Sequence, residues 1–523
     1  MPANLTEDKD LSPLFRSTEE LEEPEEAVIE GEVPSWLNGT LFRTGPGKFD
    51  IGNFTVNHWL DGYAILSKFE IGNSKVKFHK RFLRSDAYQK AMLAGRSILT
   101  EFGTKGSADP NKNIFSRLVS SVFPVEMTDN DCVSIFPIGP DLFTTSDSCF
   151  MRKMTQDLET CEKVDTNKYF GLNGASAHPL REEDGTVYNI GFSCLTGLKF
   201  NVYKIPRKGF TSKEMMKNSK VIASIPSRWS TGLAYNHSFG MTENYLIFIE
   251  QPYIVSFSKL ASSVVKGGSA FKDWLEWKSE EKNRFVVIEK SGKLIKTEYY
   301  SSSAFFFLHF INAYEQDGEI IIDINAYKSP AVLDKMYIRD LRSTSTVEEV
   351  DPPCAQRFII PLIDPKAAPE EVNLVRAEGT LARAIKAGHV ITLYPEIKSD
   401  YGLELPAINK NFLGKKANYF YAAGTVCENI FSNSLCKINL ETRETQFWRR
   451  SEFMYPGEPV FIRNPQGQAE DDGVIISAVT DVSKENDFLV FIDAKSWQEI
   501  GRALFSSHVP QALHGLFLEN PSS

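Results

Sequence analysis

Asp317-Gly-Glu-Ile-Ile-Ile-Asp-Ile324 decides the fold. Asp-Gly favours a tight hairpin turn. The β-branched run behind it, bounded by turn residues, reads as a short antiparallel strand. The same pattern recurs at Asp184-Gly185 with Val187-Tyr-Asn-Ile-Gly-Phe192, and at Asp472-Gly473 with Val474-Ile-Ile-Ser-Ala-Val479. Further short runs are Gly39-Thr-Leu-Phe-Arg43, Cys132-Val-Ser-Ile-Phe136, Tyr245-Leu-Ile-Phe-Ile249, Val390-Ile-Thr-Leu-Tyr394 and Phe488-Leu-Val-Phe-Ile492. So many short strands over about 490 residues predict an all-β fold, and a β-propeller rather than a sandwich. No exact repeat is visible, so any blades are degenerate. The long non-strand stretches fall near 83–125, 205–220, 255–280 and 329–350. No linker interrupts the pattern, which predicts a single domain over 27–523. Residues 1–26, acidic and poor in apolar side chains, are expected to be a flexible segment.

The chain has 523 residues and a net charge of -10, from 58 basic and 68 acidic side chains. Nucleic acid is therefore not an expected partner, because phosphate binding needs a basic face. With 42% hydrophobic residues and 37 Phe, the chain can build a large core or line a large apolar cavity. Its seven cysteines include no Cys-x-x-Cys, which suits a reducing compartment. The N-terminus has no apolar core of a secretory signal, and no run is long enough to span a bilayer. These features predict a cytoplasmic protein. Phosphate-loop and nucleophile-elbow motifs are absent.

Four of the eight histidines stand in apolar or turn-rich settings: His178, His237, His309 and His514. Neutral imidazole is the commonest metal ligand. If the four converge, they form an all-nitrogen metal site. Their irregular spacing fits neither a zinc finger nor a helical histidine pair. It suits ligands donated by separate blades, although a lone histidine in an apolar strand is more often a core residue. A metal-bound imidazole needs a carboxylate or carbonyl for its second N–H. Asp147, Glu404 and Glu458 sit in contexts that suit this role, or equally a turn cap. His58, His79, His389 and His508 read as structural or surface residues.

Phe115, Leu118, Val119, Val122 and Phe123 fall on one helical face, with Lys105, Lys112 and Arg117 nearby. Such a helix can lie on a membrane or pack on its own protein. Ile254 to Val265 is a second candidate.

Collinear motifs across the chain resemble the animal branch of the carotenoid cleavage oxygenases. They include Leu41-Phe-Arg-Thr-Gly-Pro-Gly47, Asn57-His-Trp-Leu-Asp-Gly62, Thr100-Glu-Phe-Gly-Thr104, Asn173-Gly-Ala-Ser-Ala-His-Pro179, His237-Ser-Phe-Gly-Met-Thr-Glu-Asn244, Glu470-Asp-Asp-Gly-Val474 and Leu513-His-Gly-Leu-Phe517. The resemblance implies a seven-bladed propeller with an α-helical and loop cap over one face. It implies ferrous iron on His178, His237, His309 and His514, with Glu404 orienting His309 and Glu458 orienting His514. The position that should orient His237 holds Asp147, where the family has glutamate. Its bond to His237 is expected to be re-angled, water-bridged or lost, and restoring glutamate is expected to leave iron bound or tighten it. Asn111 stands where vertebrate relatives carry a cysteine proposed to take a lipid. The amphipathic stretch after it would flank a tunnel mouth on intracellular membranes.

Within the branch, Ala304-Phe-Phe-Phe-Leu-His309-Phe-Ile-Asn312, Ile324-Asn-Ala-Tyr-Lys-Ser-Pro330 and Ile225-Pro-Ser-Arg-Trp229 resemble the insect isomerooxygenases. The implied reaction is dioxygenase cleavage of the central 15,15′ double bond of a C40 carotenoid, with trans-to-11-cis isomerisation of one half. The partners would be the carotenoid and O2, and a homodimer is compatible. Phe102, Tyr235, Phe307, Leu308 and Tyr327 are the expected tunnel lining. An eccentric 9′,10′ dioxygenase, a central dioxygenase without isomerisation, a retinoid isomerohydrolase and an inactive carotenoid binder remain as competing readings. The intact histidines oppose the last.

Overall fold

The computed structural model describes residues 10–107, 127–194, 197–343, 351–425, 431–483 and 486–520. The protein is mostly β, as expected. Among the described residues, seven sheets of four to six strands succeed one another along the chain, beside a three-stranded and a two-stranded sheet. Pairing is antiparallel almost throughout. Glu298–Ser301 and Val390–Tyr394 run parallel, because the intervening chain leaves to build the next sheet before returning.

Both ends of the chain are stitched into this series. His514–Glu519 pairs with Gly39–Lys48, and Thr44 lies opposite His514. Val28–Gly31 adds an outer strand to Gln498–Leu504. The pairing leaves no room for a side chain at Gly45. A Cβ there would stand 2.6 Å from the Ala512 Cα and 2.8 Å from the Gln511 carbonyl.

Asp317 and Gly318 form the expected two-residue hairpin between Phe306–Gln316 and Glu319–Tyr327, at φ 50° and 76°. Both central residues of this turn type need positive φ, which Asp and Gly tolerate. Asp472-Gly473 behaves differently. Its carboxylate accepts from the Gln468 and Ala469 amides and closes a longer loop, while Gly473 already belongs to Gly473–Asp481.

All four long non-strand stretches hold helical turns: Asp86–Ala94, Ser212–Lys217, Phe257–Val265 and Pro330–Lys335. The candidate at Ile254 to Val265 is thus part strand and part helix. Tyr253–Ser256 pairs with Gly232–Ala234 before Phe257–Val265 coils. Phe115, Leu118, Val119, Val122 and Phe123 lie outside the described residues. No described helix is long and apolar enough to cross a membrane.

Residues 10–26 are packed, against the expectation of flexibility. Leu14 and Phe15 are buried in a short 3-10 turn. Arg342 ties this turn down by donating to the Phe15 carbonyl and to Asp50. Two apolar side chains outweigh the surrounding charge once a core is there to receive them.

Candidate metal centre

Seven side chains named from sequence come from seven different sheets or their turns. Asp147 follows Asp141–Thr145, His178 follows Gly174–Ala175, and His237 precedes Gly240–Met241. His309 lies within Phe306–Gln316, and Glu404 within Gly402–Ala407. Glu458 interrupts Met454–Pro456 and Val460–Arg463, while His514 opens the last strand. Local irregularities aim them. The register slips on both sides of Phe310, as bulges do where a side chain must be re-aimed. Leu405 takes φ 52°, a costly conformation for a branched residue. There its amide donates to the Glu404 carboxylate at 2.9 Å.

The four histidines converge, each offering a nitrogen within 4.8 Å of the others. The His178 and His237 Nε2 atoms are 3.0 Å apart, and those of His309 and His514 are 3.2 Å apart. Two nitrogens bound at about 2.1 Å to one ion, at a right angle, stand about 3.0 Å apart. The other face of three rings is fixed. His237 Nδ1 meets Asp147 at 2.6 Å, His309 Nδ1 meets Glu404 at 2.5 Å, and His514 Nδ1 meets Glu458 at 2.7 Å. A carboxylate only accepts, so each Nδ1 carries the proton and each Nε2 presents a lone pair. The His309 and His514 Nε2 atoms then face each other as two acceptors and cannot bond. A cation between them satisfies both. Burial and the neighbouring imidazoles hold His178 far below the usual histidine range, and burial also lowers His309. Neutral rings are the ligand form. The donor set therefore fits a divalent transition metal.

Asp147 reaches His237 directly. Its Oδ2 also accepts from the Tyr235 hydroxyl at 2.7 Å, and its Oδ1 from the Ala177 amide at 2.9 Å. Of the expected outcomes, re-angled, water-bridged or lost, the direct contact overturns the last two: the Tyr235 hydroxyl and the Ala177 backbone close around the shorter side chain.

Glu404 is held in the same way by the Tyr327 hydroxyl, at 2.8 Å. Burial keeps both phenols protonated, raising them well above their usual value. Glu458 accepts from the Gly515 amide at 2.8 Å, while buried Arg43 donates to the Glu458 carbonyl at 2.9 Å.

Tyr235, Tyr327, Phe102 and Leu308 share one cluster with Tyr253, Phe306 and Leu333. Phe307 does not join it and packs into a separate core with Phe305, Ile324 and Phe358. A cavity of about 160 Å³ touches His178, His309 and His514, and none of the five expected tunnel residues lines it.

Sequence reading missed the groups that brace the ligands. The Ser176 hydroxyl donates to the His237 carbonyl, and the Ser238 hydroxyl donates to the Leu308 carbonyl. Buried Gln251 donates to the Tyr235 carbonyl and accepts from the Phe307 amide. Their only signal was adjacency to histidine motifs or, for Gln251, a place in Glu250-Gln-Pro252, another stretch that resembles the same family.

Of the remaining histidines, His58 bonds the Leu333 carbonyl, His79 the Leu21 carbonyl and His508 the Asp487 carboxylate, while His389 is exposed. The six cysteines of the described residues are free thiols.

The family model described as retinal pigment epithelial membrane protein matches residues 14–519. The chain belongs to that family. This family is iron-dependent. Among curated relatives, the mitochondrial carotenoid-cleaving dioxygenase of Mustela putorius furo is 36% identical, over 97% of this chain and 96% of its own. The β,β-carotene 15,15′-dioxygenase of Gallus gallus is also 36% identical, over 96% and 97%. Solved structures share the fold. A glutamate-to-aspartate variant of Synechocystis apocarotenoid oxygenase superposes with TM-score 0.78 at 21% identity, covering 98% of this chain and 99% of that one. A cobalt-substituted form of the same oxygenase gives 0.75 with the same coverage. The expectation of a cytoplasmic, membrane-associated location is corrected. The relatives from Mustela putorius furo, Macaca fascicularis and Homo sapiens are all named mitochondrial.

Proposed function

We propose that this chain is an iron(II) dioxygenase that cleaves the central 15,15′ double bond of C40 carotenoids into two retinoid aldehydes. The observation that carries the reading is the facing pair of imidazole lone pairs at 3.2 Å, backed by carboxylates. The names of the relatives supply the substrate class. Their equal identity, 36% in both cases, favours neither relative over the other.

His178, His237, His309 and His514 would hold the iron, and Asp147, Glu404 and Glu458 would fix three of the rings. When bound, ferrous iron supplies the activation of dioxygen. The protein's own contribution is position and dryness. The three carboxylates accept from Nδ1 of His237, His309 and His514, which fixes those rings and leaves each Nε2 lone pair free to face a metal. The cluster of Phe102, Tyr235, Leu308 and Tyr327 offers an apolar wall for a polyene and excludes water from the reacting bond.

Coupled trans-to-11-cis isomerisation, supplying a visual chromophore, is part of the proposal. It is supported by the isomerooxygenase-like stretches around His309 and Tyr327. A single domain over 27–523, a seven-bladed closure of the seven large sheets under a cap and a homodimer complete the reading.

The deciding experiment supplies β-carotene and zeaxanthin to iron-loaded protein under 18O2. Two C20 aldehydes, each labelled, are expected, one of them 11-cis. Unequal chain lengths would move the cut to an eccentric bond. Retinol released from a retinyl ester without O2 uptake would replace oxygenase with isomerohydrolase.

A further inference from the structure

The strand Phe306–Gln316 passes the histidine cluster from one side to the other. Before His309, Phe306 and Leu308 belong to the aromatic cluster. After it, Phe310 to Ala313 line the separate 160 Å³ cavity. The segment carrying His237 repeats the order, with Tyr235 in the aromatic cluster and Ser238 to Met241 on the cavity. The histidines therefore lie between the aromatic cluster and the cavity. The cavity is too small for a C40 polyene, since drug-sized ligands already need about 300 Å³ or more.

The polar groups of the cavity are already engaged. The Ser238 hydroxyl donates to the Leu308 carbonyl and accepts from the Phe310 amide. The Asn312 amide donates to the Phe412 and Lys415 carbonyls and accepts from the Gly414 amide. The Glu458 carboxylate is taken by His514 and Gly515. Polar atoms share the surface of the space with the apolar walls that Leu180, Phe239, Met241, Phe310, Ile311 and Leu413 provide. Apolar walls of this kind admit apolar gases. Leu180 and Leu413 are only partly buried. Leu413 sits on the loop that Asn312 latches down.

Resting on the function proposed above, we propose that this cavity is the dioxygen route to the histidine cluster, on the face opposite the polyene. A bound polyene covers the aromatic side. A separate passage lets the second substrate arrive without crossing it.

Nitric oxide is the probe, as a diatomic stand-in for dioxygen. Its association with iron-loaded protein is followed by stopped flow, under anaerobic conditions where β-carotene is bound but not cleaved. Leu413→Trp should slow association about tenfold, and Leu413→Ala should speed it, whereas saturating β-carotene should change it by about twofold or less. The inverse pattern, with carotenoid blocking and the Leu413 series silent, overturns the route. A metal-free measurement separates this inference from the function beneath it. Crystals of the protein under xenon should show the gas between Phe310 and Leu413. Xenon found only among Phe102, Phe306 and Tyr327 sinks the inference, whatever the metal content. Protein that takes up no iron sinks the oxygenase reading alone.

Discussion

Asp147→Glu should weaken metal binding, although it installs the residue the family resemblance implies. The extra methylene advances the carboxylate by about 1.5 Å. All three of its partners already sit at bonding distance: His237 at 2.6 Å, Tyr235 at 2.7 Å and the Ala177 amide at 2.9 Å. The Ala177 amide belongs to the segment that carries His178, so it cannot retreat without moving a second ligand. The longer side chain must therefore swing away from one donor or displace His237. Losing one hydrogen bond to a charged group costs about 1.5–3 kcal/mol. That corresponds to about tenfold to a hundredfold in affinity, the range seen when supports of metal-bound histidines are removed. The assay is competition for Fe2+ or Co2+ against a chromogenic chelator, for wild type, Asp147→Glu, Tyr235→Phe and the double variant. Removing the Tyr235 hydroxyl should cost the wild type more than it costs Asp147→Glu, because the hydroxyl is one of the groups the longer side chain collides with. Equal or tighter binding by Asp147→Glu would refute the reasoning.

His237→Ala should leave the purified protein without iron, measured by elemental analysis; full metal retention with unchanged activity would remove His237 from the ligand set. His58 is buried with its pKa lowered from 6.5 to about 4 by desolvation. Its Nε2–H donates to the Leu333 carbonyl and its Nδ1 accepts from the Leu60 amide. Between those values the unfolded chain holds the extra proton, so stability falls as pH drops from 6.5 towards 4, by up to about 3 kcal/mol. Thermal melts should show a shallower acid limb in His58→Gln, and parallel limbs would contradict the assignment. Gly45→Ala must push the Ala512 and Gln511 backbone, at a cost of about 1–3 kcal/mol. Because that backbone leads into His514, metal affinity should fall together with the denaturation midpoint, and a fall in stability alone would show the two are uncoupled.

The β character was legible because Asp317-Gly318 and its neighbours carry period and turn chemistry in adjacent residues. The metal site was legible for a different reason. Histidine and acidic residues in apolar surroundings are rare enough that His309 and Glu404 marked themselves, though only the family resemblance paired them. What escaped was set by tertiary contact. Phe307 and Leu308 read alike as aromatic-strand neighbours, yet alternation sends one to the core and the other to the site. Tyr235 and Tyr327 were noticed for their rings, whereas their hydroxyls hold the carboxylates. Nothing local told Asp472-Gly473 apart from the true hairpin at Asp317-Gly318, because the long loop before it is closed by side-chain bonds to Gln468 and Ala469. Phe15 looked like part of a charged tail because its partners, Arg342 and Phe431, are distant in sequence.

Charge accounting joins the pieces of the centre. Asp147, Glu404 and Glu458 bring three negative charges into a largely buried space, and all three are committed to imidazole N–H groups that carry no charge. Arg43, fully buried beside Glu458, returns one positive charge. Its own burial holds its pKa below the usual guanidinium value, offset by Glu458. Lys410 also faces Glu458 with a positive charge, and the negative charge that remains is what a divalent ion on the four Nε2 atoms would offset. Buried charge without compensation is expensive. The ion would thus belong to the fold as well as to the chemistry, tying the inner edges of four sheets to one point. It follows that the carboxylates cannot be read as mere orienting groups. They set the charge the centre must receive, and a ligand set of four neutral donors selects a dication only because three anions stand behind it.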